Sequence, residues 1–180
     1  RIGLKADVSP DVKVIMGLAT GGDNPVSRNV TGDGGFTTKE IGIELMYVDW
    51  KATEQLSVYA GKMKNPLFKA GGVPLIWDGD LNPEGLAAGF SSGMFFANAG
   101  LFSVEERSGA DDSSLRALQG GIKTDIGDVG SLTAGLGYFE YTNTIGNEPF
   151  YDGSPKGNTV DIDGNYVYDY KNTEVFAQFE

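Results

Sequence analysis

Two groups of charge stand close together in this chain: Lys62, Lys64 and Lys69, then Asp78, Asp80 and Glu84. Cations facing anions across a water-filled passage set up a transverse field that sorts passing solutes. The six residues do that chemistry if the segment carrying them folds back into an enclosed lumen; left on the surface, they are solvated loop charges. Covalent catalysis has little to work with. The 180 residues contain no His and no Cys, which removes imidazole bases, thiolate nucleophiles and the usual zinc sites, and no nucleophile elbow is present. The chain is therefore expected not to be an enzyme and to need no cofactor. An oxygen-rich stretch, Asp78-Gly79-Asp80-Leu81-Asn82-Pro83-Glu84, begins like a calcium loop, as does Asp161-Ile162-Asp163-Gly164-Asn165. Both break the pattern: proline stands where the first needs glycine, the glycine of the second comes two places early, and neither has the distal bidentate glutamate. Calcium at Asp78, Asp80, Asn82 and Glu84 is thus the weaker alternative to ordinary Asx-turn chemistry.

The elements that would position these groups centre on Lys39 to Asn65, which reads as two strands joined by a short turn. In the first arm Ile41, Ile43, Leu45 and Tyr47 alternate with Glu40, Gly42, Glu44 and Met46; in the second Leu56, Val58 and Ala60 alternate with Gln55, Ser57 and Tyr59. A period of two is what a strand requires. One face is apolar, and the other carries glutamates and a glycine, a lining suited to water, so Glu44 is a candidate pore-lining residue. Arms of about nine to eleven tilted residues match a transmembrane β-strand. Lys62 and Lys64 continue the phase of the apolar face. Either they lie above the hydrocarbon among headgroup phosphates, or a bulge at Gly61 turns them inward.

The rest of the chain repeats this grammar. Ile2, Leu4, Ala6 and Val8 alternate with Arg1, Gly3, Lys5 and Asp7, and similar patterns run through Met94 to Val104 and Ser131 to Tyr141. Nine strands are expected in all, the last beginning at Thr173. Short turns near Ser9, Ala52, Ser91 and Gly127 alternate with longer segments at Gly21, Pro66, Glu105 and Thr142, as in bacterial barrels with periplasmic turns and external loops. Tyr47 and Trp50, and at the other end Phe139 and Tyr141, are candidates for the two aromatic girdles. The glycine-rich Gly32 to Gly35 is no phosphate cradle, because no helix-forming stretch follows it. No apolar run reaches the length of a membrane helix, and the net charge of −11 argues against nucleic acid as a partner. The carboxylate excess predicts a mild cation preference if those groups line the path. The fold class expected is all-β, an antiparallel transmembrane β-barrel.

Four stretches also carry a resemblance: YVDWKATEQLSVYAGKMKNP (47–66), PLIWDGDLNPEGLA (74–87), FFANAGLFSVEERS (95–108) and GYFEYTNTIGNEPFYDG (137–153). Together they resemble the putative porin family of proteobacterial outer membranes, with WDGDLNPEG the most specific signature and the likeness running through essentially the whole chain. The resemblance implies a barrel of about sixteen strands in the bacterial outer membrane, through which small hydrophilic solutes or ions diffuse. Its expected partners are outer-membrane lipid and lipopolysaccharide, those solutes and, in a homotrimer, copies of itself. Family members are longer and begin with a signal peptide, and nine is an odd strand count where bacterial barrels have even ones, so residues 1–180 are expected to be one segment of a larger barrel. Two other classes stay open: a structural or adhesion barrel with a closed lumen, separated by conductance, and a soluble β-rich fragment, separated by solubility without detergent.

Overall fold

The structure is a computed structural model that describes residues 1–22, 24–27, 35–73, 75–150 and 153–180. Most of the glycine-rich stretch at 32–35 lies outside these residues. The described chain is all-β. Nine strands follow one another: β1 (Ile2–Ser9), β2 (Val12–Thr20), β3 (Ile41–Lys51), β4 (Leu56–Lys62), β5 (Glu84–Ser92), β6 (Phe95–Glu105), β7 (Ser113–Asp125), β8 (Ser131–Thr142) and β9 (Lys171–Phe179). The only other regular elements among the described residues are two single 3₁₀ turns, at Ala70–Gly72 and Gly127–Val129. The strands form one sheet in sequence order, and each pairs antiparallel with the next. Nothing among the described residues pairs β1 with β9, so the sheet is open. Among the described residues no helix is long and apolar enough to cross a membrane.

The connections alternate as the turn chemistry predicts. Residues 10–11, 52–55, 93–94 and 126–130 join strands at one rim, while 21–40, 63–83, 106–112 and 143–170 join them at the other. Strand limits differ from the sequence expectation by a few residues; β5, for example, begins at Glu84 and runs through Ser91 and Ser92 because pairing with β6 continues to Ser92 and Phe95.

Register divides the side chains into two faces. Leu86, Leu101, Leu118, Leu136 and Val175 lie on one, which we call outer; Leu136 is 60% and Val175 76% exposed. Ala87, Phe102, Leu115, Ala117, Gln119 and Phe139 lie on the other, inner face and are buried. The first arm of the organising hairpin corrects the expected phase. The pairing of β2 with β3 shifts between Gly17–Leu45 and Leu18–Ile43, leaving Glu44 as the extra residue of a β-bulge. Ile43 therefore stays outward at 52% exposure, whereas Leu45 turns inward and is 8% exposed. Tyr47 follows it inward, diagonal to Tyr59 across the β3–β4 pair at a ring separation of 6.5 Å, and Met46, Val48 and Trp50 take the outer face. A uniform alternation from Ile41 to Tyr47 thus fails at one residue, which sequence periodicity cannot register.

Candidate functional site: a loop pinned across the inner face

The inner face of β5 to β9 is built from alternating small and large residues, and the small ones decide where the large ones lean. Register aligns Phe96, Gly121, Gly135 and Phe176 in one row. A Cβ at Gly121 would lie 2.8 Å from the Phe96 ring, and one at Gly135 2.6 Å from Phe176. With hydrogens in those places, the two rings lean over the glycines and approach to 6.3 Å. Phe68, from the connection between β4 and β5, packs on both, at 6.0 and 5.1 Å.

The adjacent row is polar: Asn98, Gln119, Gly137 and Glu174. Gln119, 1% exposed, reaches across Gly137, so its Nε2 donates to Glu174 Oε2 at 3.1 Å while Asn98 Nδ2 donates to its Oε1 at 3.2 Å. The same amide holds the loop. Phe68 N–H donates to Gln119 Oε1 at 2.8 Å, and Gln119 Nε2 donates to Phe68 O at 3.0 Å. The side-chain amide thus pairs with a residue backbone as another strand would, meeting a donor and an acceptor that are costly to bury alone. One turn further on, Gly71 N–H donates to Gln178 Oε1 at 2.7 Å.

Apolar contacts complete the seat. Met63 and Leu67 are buried in one cluster with Ala87, Phe102, Leu115, Ala117 and Phe139, each burial contributing about 1.5–3 kcal/mol. Trp77 stands edge-on to Phe102 and Phe139, at 6.2 and 6.5 Å. The two feet of the loop are tied by Met63 N–H to Pro83 O at 2.8 Å and by Lys62 Nζ to Asn82 O at 3.2 Å. The 63–83 connection therefore lies across the inner face instead of standing out from the rim.

The residues singled out from the sequence fall into three places. Glu44, at the bulge, pairs with Arg1 at 3.1 Å. Lys62 and Glu84 are register partners. Pairing through Gly61 shows no shift, and Lys62 is level with the outward Met46. Lys64, Lys69, Asp78 and Asp80 lie on the folded-in loop, with Lys64, Asp78 and Asp80 exposed and Lys69 half-buried just before its 3₁₀ turn. Asp78 Oδ1 accepts the Asp80 N–H at 2.8 Å, and Asp161 Oδ1 accepts the N–H groups of Asp163 and Asn165, all Asx-type turns. Among the described residues no three acidic side chains are gathered as a metal site.

A second loop, 143–170, stands beside the first. Its base is clasped where Asp169 Oδ1 accepts from Thr144 N–H at 2.8 Å and Oγ1 at 3.0 Å, and the Thr144 N–H holds the Asp169 carboxyl below the usual carboxylate range. Tyr141, Phe150, Tyr166 and Tyr170 follow one another ring to ring at 6.4, 5.2 and 5.6 Å. Burial, with Tyr166 next, pushes the Tyr170 phenol up. A cavity of about 600 Å³ lies between this row and Trp77.

Sequence reasoning found the loop charges and missed the groups that place the loop. The signal was partial: Asn98, Gln119 and Glu174 share a phase with buried aromatics, an odd position for polar groups, but the register that brings them together is absent from any one strand.

No curated protein matches the chain. A family profile described as "Putative porin" matches residues 1–169 of the 180, a span that takes in eight strands of the meander, the pinned loop and almost all of the aromatic one. The chain belongs to the putative porin family.

Proposed function

We propose that this chain forms part of the wall of an outer-membrane porin through which small hydrophilic solutes or ions diffuse, with the 63–83 loop narrowing the passage. The observation that carries this is the opposition of the two faces. Ile43, Leu86, Leu101, Leu118, Leu136 and Val175 are exposed on six strands of the outer face, an apolar expanse that suits lipid and is costly in water. The inner face holds Gln119, Asn98 and Glu174 together with the folded-in loop. Free edges at β1 and β9 are compatible with a membrane only if further strands close them, because unpaired backbone groups are not tolerated in hydrocarbon. In this orientation the short connections face the periplasm and the long ones face outward.

Within the passage, Lys64 and Lys69 on one limb of the loop and Asp78 and Asp80 on the other supply the field that biases ions. The test is conductance of the full-length protein in planar bilayers. Stepwise channels are expected, and Lys64→Glu with Lys69→Glu should move the reversal potential in a salt gradient toward cations. A protein that inserts without conducting would leave the closed-lumen barrel, a reading favoured by how much of the inner face the loop covers.

A further inference from the structure

Building on the porin reading, we infer that the cavity between the 63–83 and 143–170 loops is a binding station for neutral polyhydroxylated rings, the chemical class of sugars. About 600 Å³ is within the range of small-molecule sites and admits a disaccharide. Its walls are of two kinds. Tyr141, Phe150, Tyr166 and Tyr170 form one in mutual ring contact. Trp77 forms the other, its indole fixed by edge contacts with Phe102 and Phe139. Rigid aromatic walls give large contact area with little ordering entropy, and the apolar C–H faces of a pyranose are flat enough to lie on them.

The polar lining selects for hydroxyls over charge. Asn158, Asn172 and Ser154 contribute neutral groups that both donate and accept, matching the rim of a sugar. One carboxylate, Asp78, and one ammonium, Lys156, line the same space, so neither an anion nor a cation meets a field of single sign. The Trp77 indole N–H is buried with no acceptor among the described residues, so what Trp77 offers the cavity is ring surface, while the hydrogen bonds come from the neutral side chains. Location ties the cavity to the passage. Tyr141 is in the inner phase of β8 and Asn172 in that of β9, while Trp77 belongs to the pinned loop. A solute held there rests at the mouth, and weak, roughly millimolar binding serves transit because a bound solute must also leave.

The experiment uses the full-length protein and sucrose as the neutral probe, with benzoate as an aromatic anion for comparison. Trp50 is on the outer face, and the difference in emission between the full-length protein and its Trp77→Phe variant reports Trp77 whatever other tryptophans the full-length protein carries. Saturable change of its emission with sucrose, lost in Trp77→Phe, is the expected result. Asn172→Ala, read through Trp77 itself, should raise the apparent dissociation constant about fivefold and so keeps the test valid if Trp77→Phe disturbs the loop. A Leu118→Ala control on the outer face should leave binding unchanged. No saturable response to sucrose, or a response to benzoate alone, overturns the inference. Conductance without sucrose binding leaves the porin reading intact, and binding without conductance removes that reading while the ligand class stands.

Discussion

Gln119 is the point at which a small change should release the 63–83 loop without unfolding the wall. Gln119→Ala removes both hydrogen bonds to Phe68 and those to Asn98 and Glu174. A hydrogen bond contributes about 0.5–1.5 kcal/mol net, and a buried group left without a partner costs about 1–3 kcal/mol. Counting only the two bonds to Phe68, the docked loop loses about 2 kcal/mol, roughly a 30-fold rise in the undocked fraction. The strand itself keeps its backbone pairing from Ser113 to Asp125, so the loss is local. Trypsin cutting after Lys69, half-buried while the loop is docked, should accelerate by about that factor, and channels of the full-length variant should show larger and noisier conductance. Gln119→Glu separates the hydrogen-bond account from simple packing. It keeps an acceptor for Phe68 N–H but loses the donor to Phe68 O and places a second carboxylate beside Glu174, so release should persist although side-chain volume is nearly unchanged. Cleavage at the wild-type rate in both variants, with unchanged conductance, would refute the idea that this amide holds the loop.

Other perturbations test the remaining parts. Leu136→Arg places a charge on the outer face at a residue 60% exposed; it should cost about 2–4 kcal/mol when folding is titrated with urea in lipid vesicles if Leu136 lies near the bilayer midplane, and a neutral outcome would contradict lipid contact there. Gly61 has φ +115, and a Cβ on it would lie 2.3 Å from Met46 O, so Gly61→Ala should destabilise by about 1–3 kcal/mol, measured in the same titration. The Asp169 carboxyl is held below its ordinary value by Thr144. Its contribution to loop closure is therefore full above the unfolded pKa of about 3.9 and disappears as pH falls through the lower folded value. Amide exchange at Thr144 should quicken in that acid window, and Asp169→Asn should remove the pH dependence.

How far the sequence carries depends on the range of each interaction. Turn chemistry and period-two patterning act within a few residues, and they locate nine strands and the alternation of short and long connections. The family resemblance rests on the same local stretches. The bulge at Glu44 escapes this reading because one inserted residue leaves composition and approximate alternation intact while reversing every side chain beyond it. The loop charges were visible at Lys64, Lys69, Asp78 and Asp80, but whether they stand outside or lie across the inner face is decided 51 to 107 residues away, where Gln119 and Gln178 accept the N–H groups of Phe68 and Gly71.

That separation makes the glycines of the inner face informative. Gly137 lies between Gln119 and Glu174, and a Cβ there would approach Glu174 Oε2 to 2.9 Å, so the amide reaches its carboxylate partner only because the intervening strand presents no side chain. Gly121 and Gly135 do the same for Phe96 and Phe176, opening the place that Phe68 occupies. In one strand these glycines look like interruptions that weaken it. Aligned on β7 and β8, between the side chains of β6 and β9, they form the recess into which the loop docks, and the position of that loop follows from what the wall lacks as much as from what it carries.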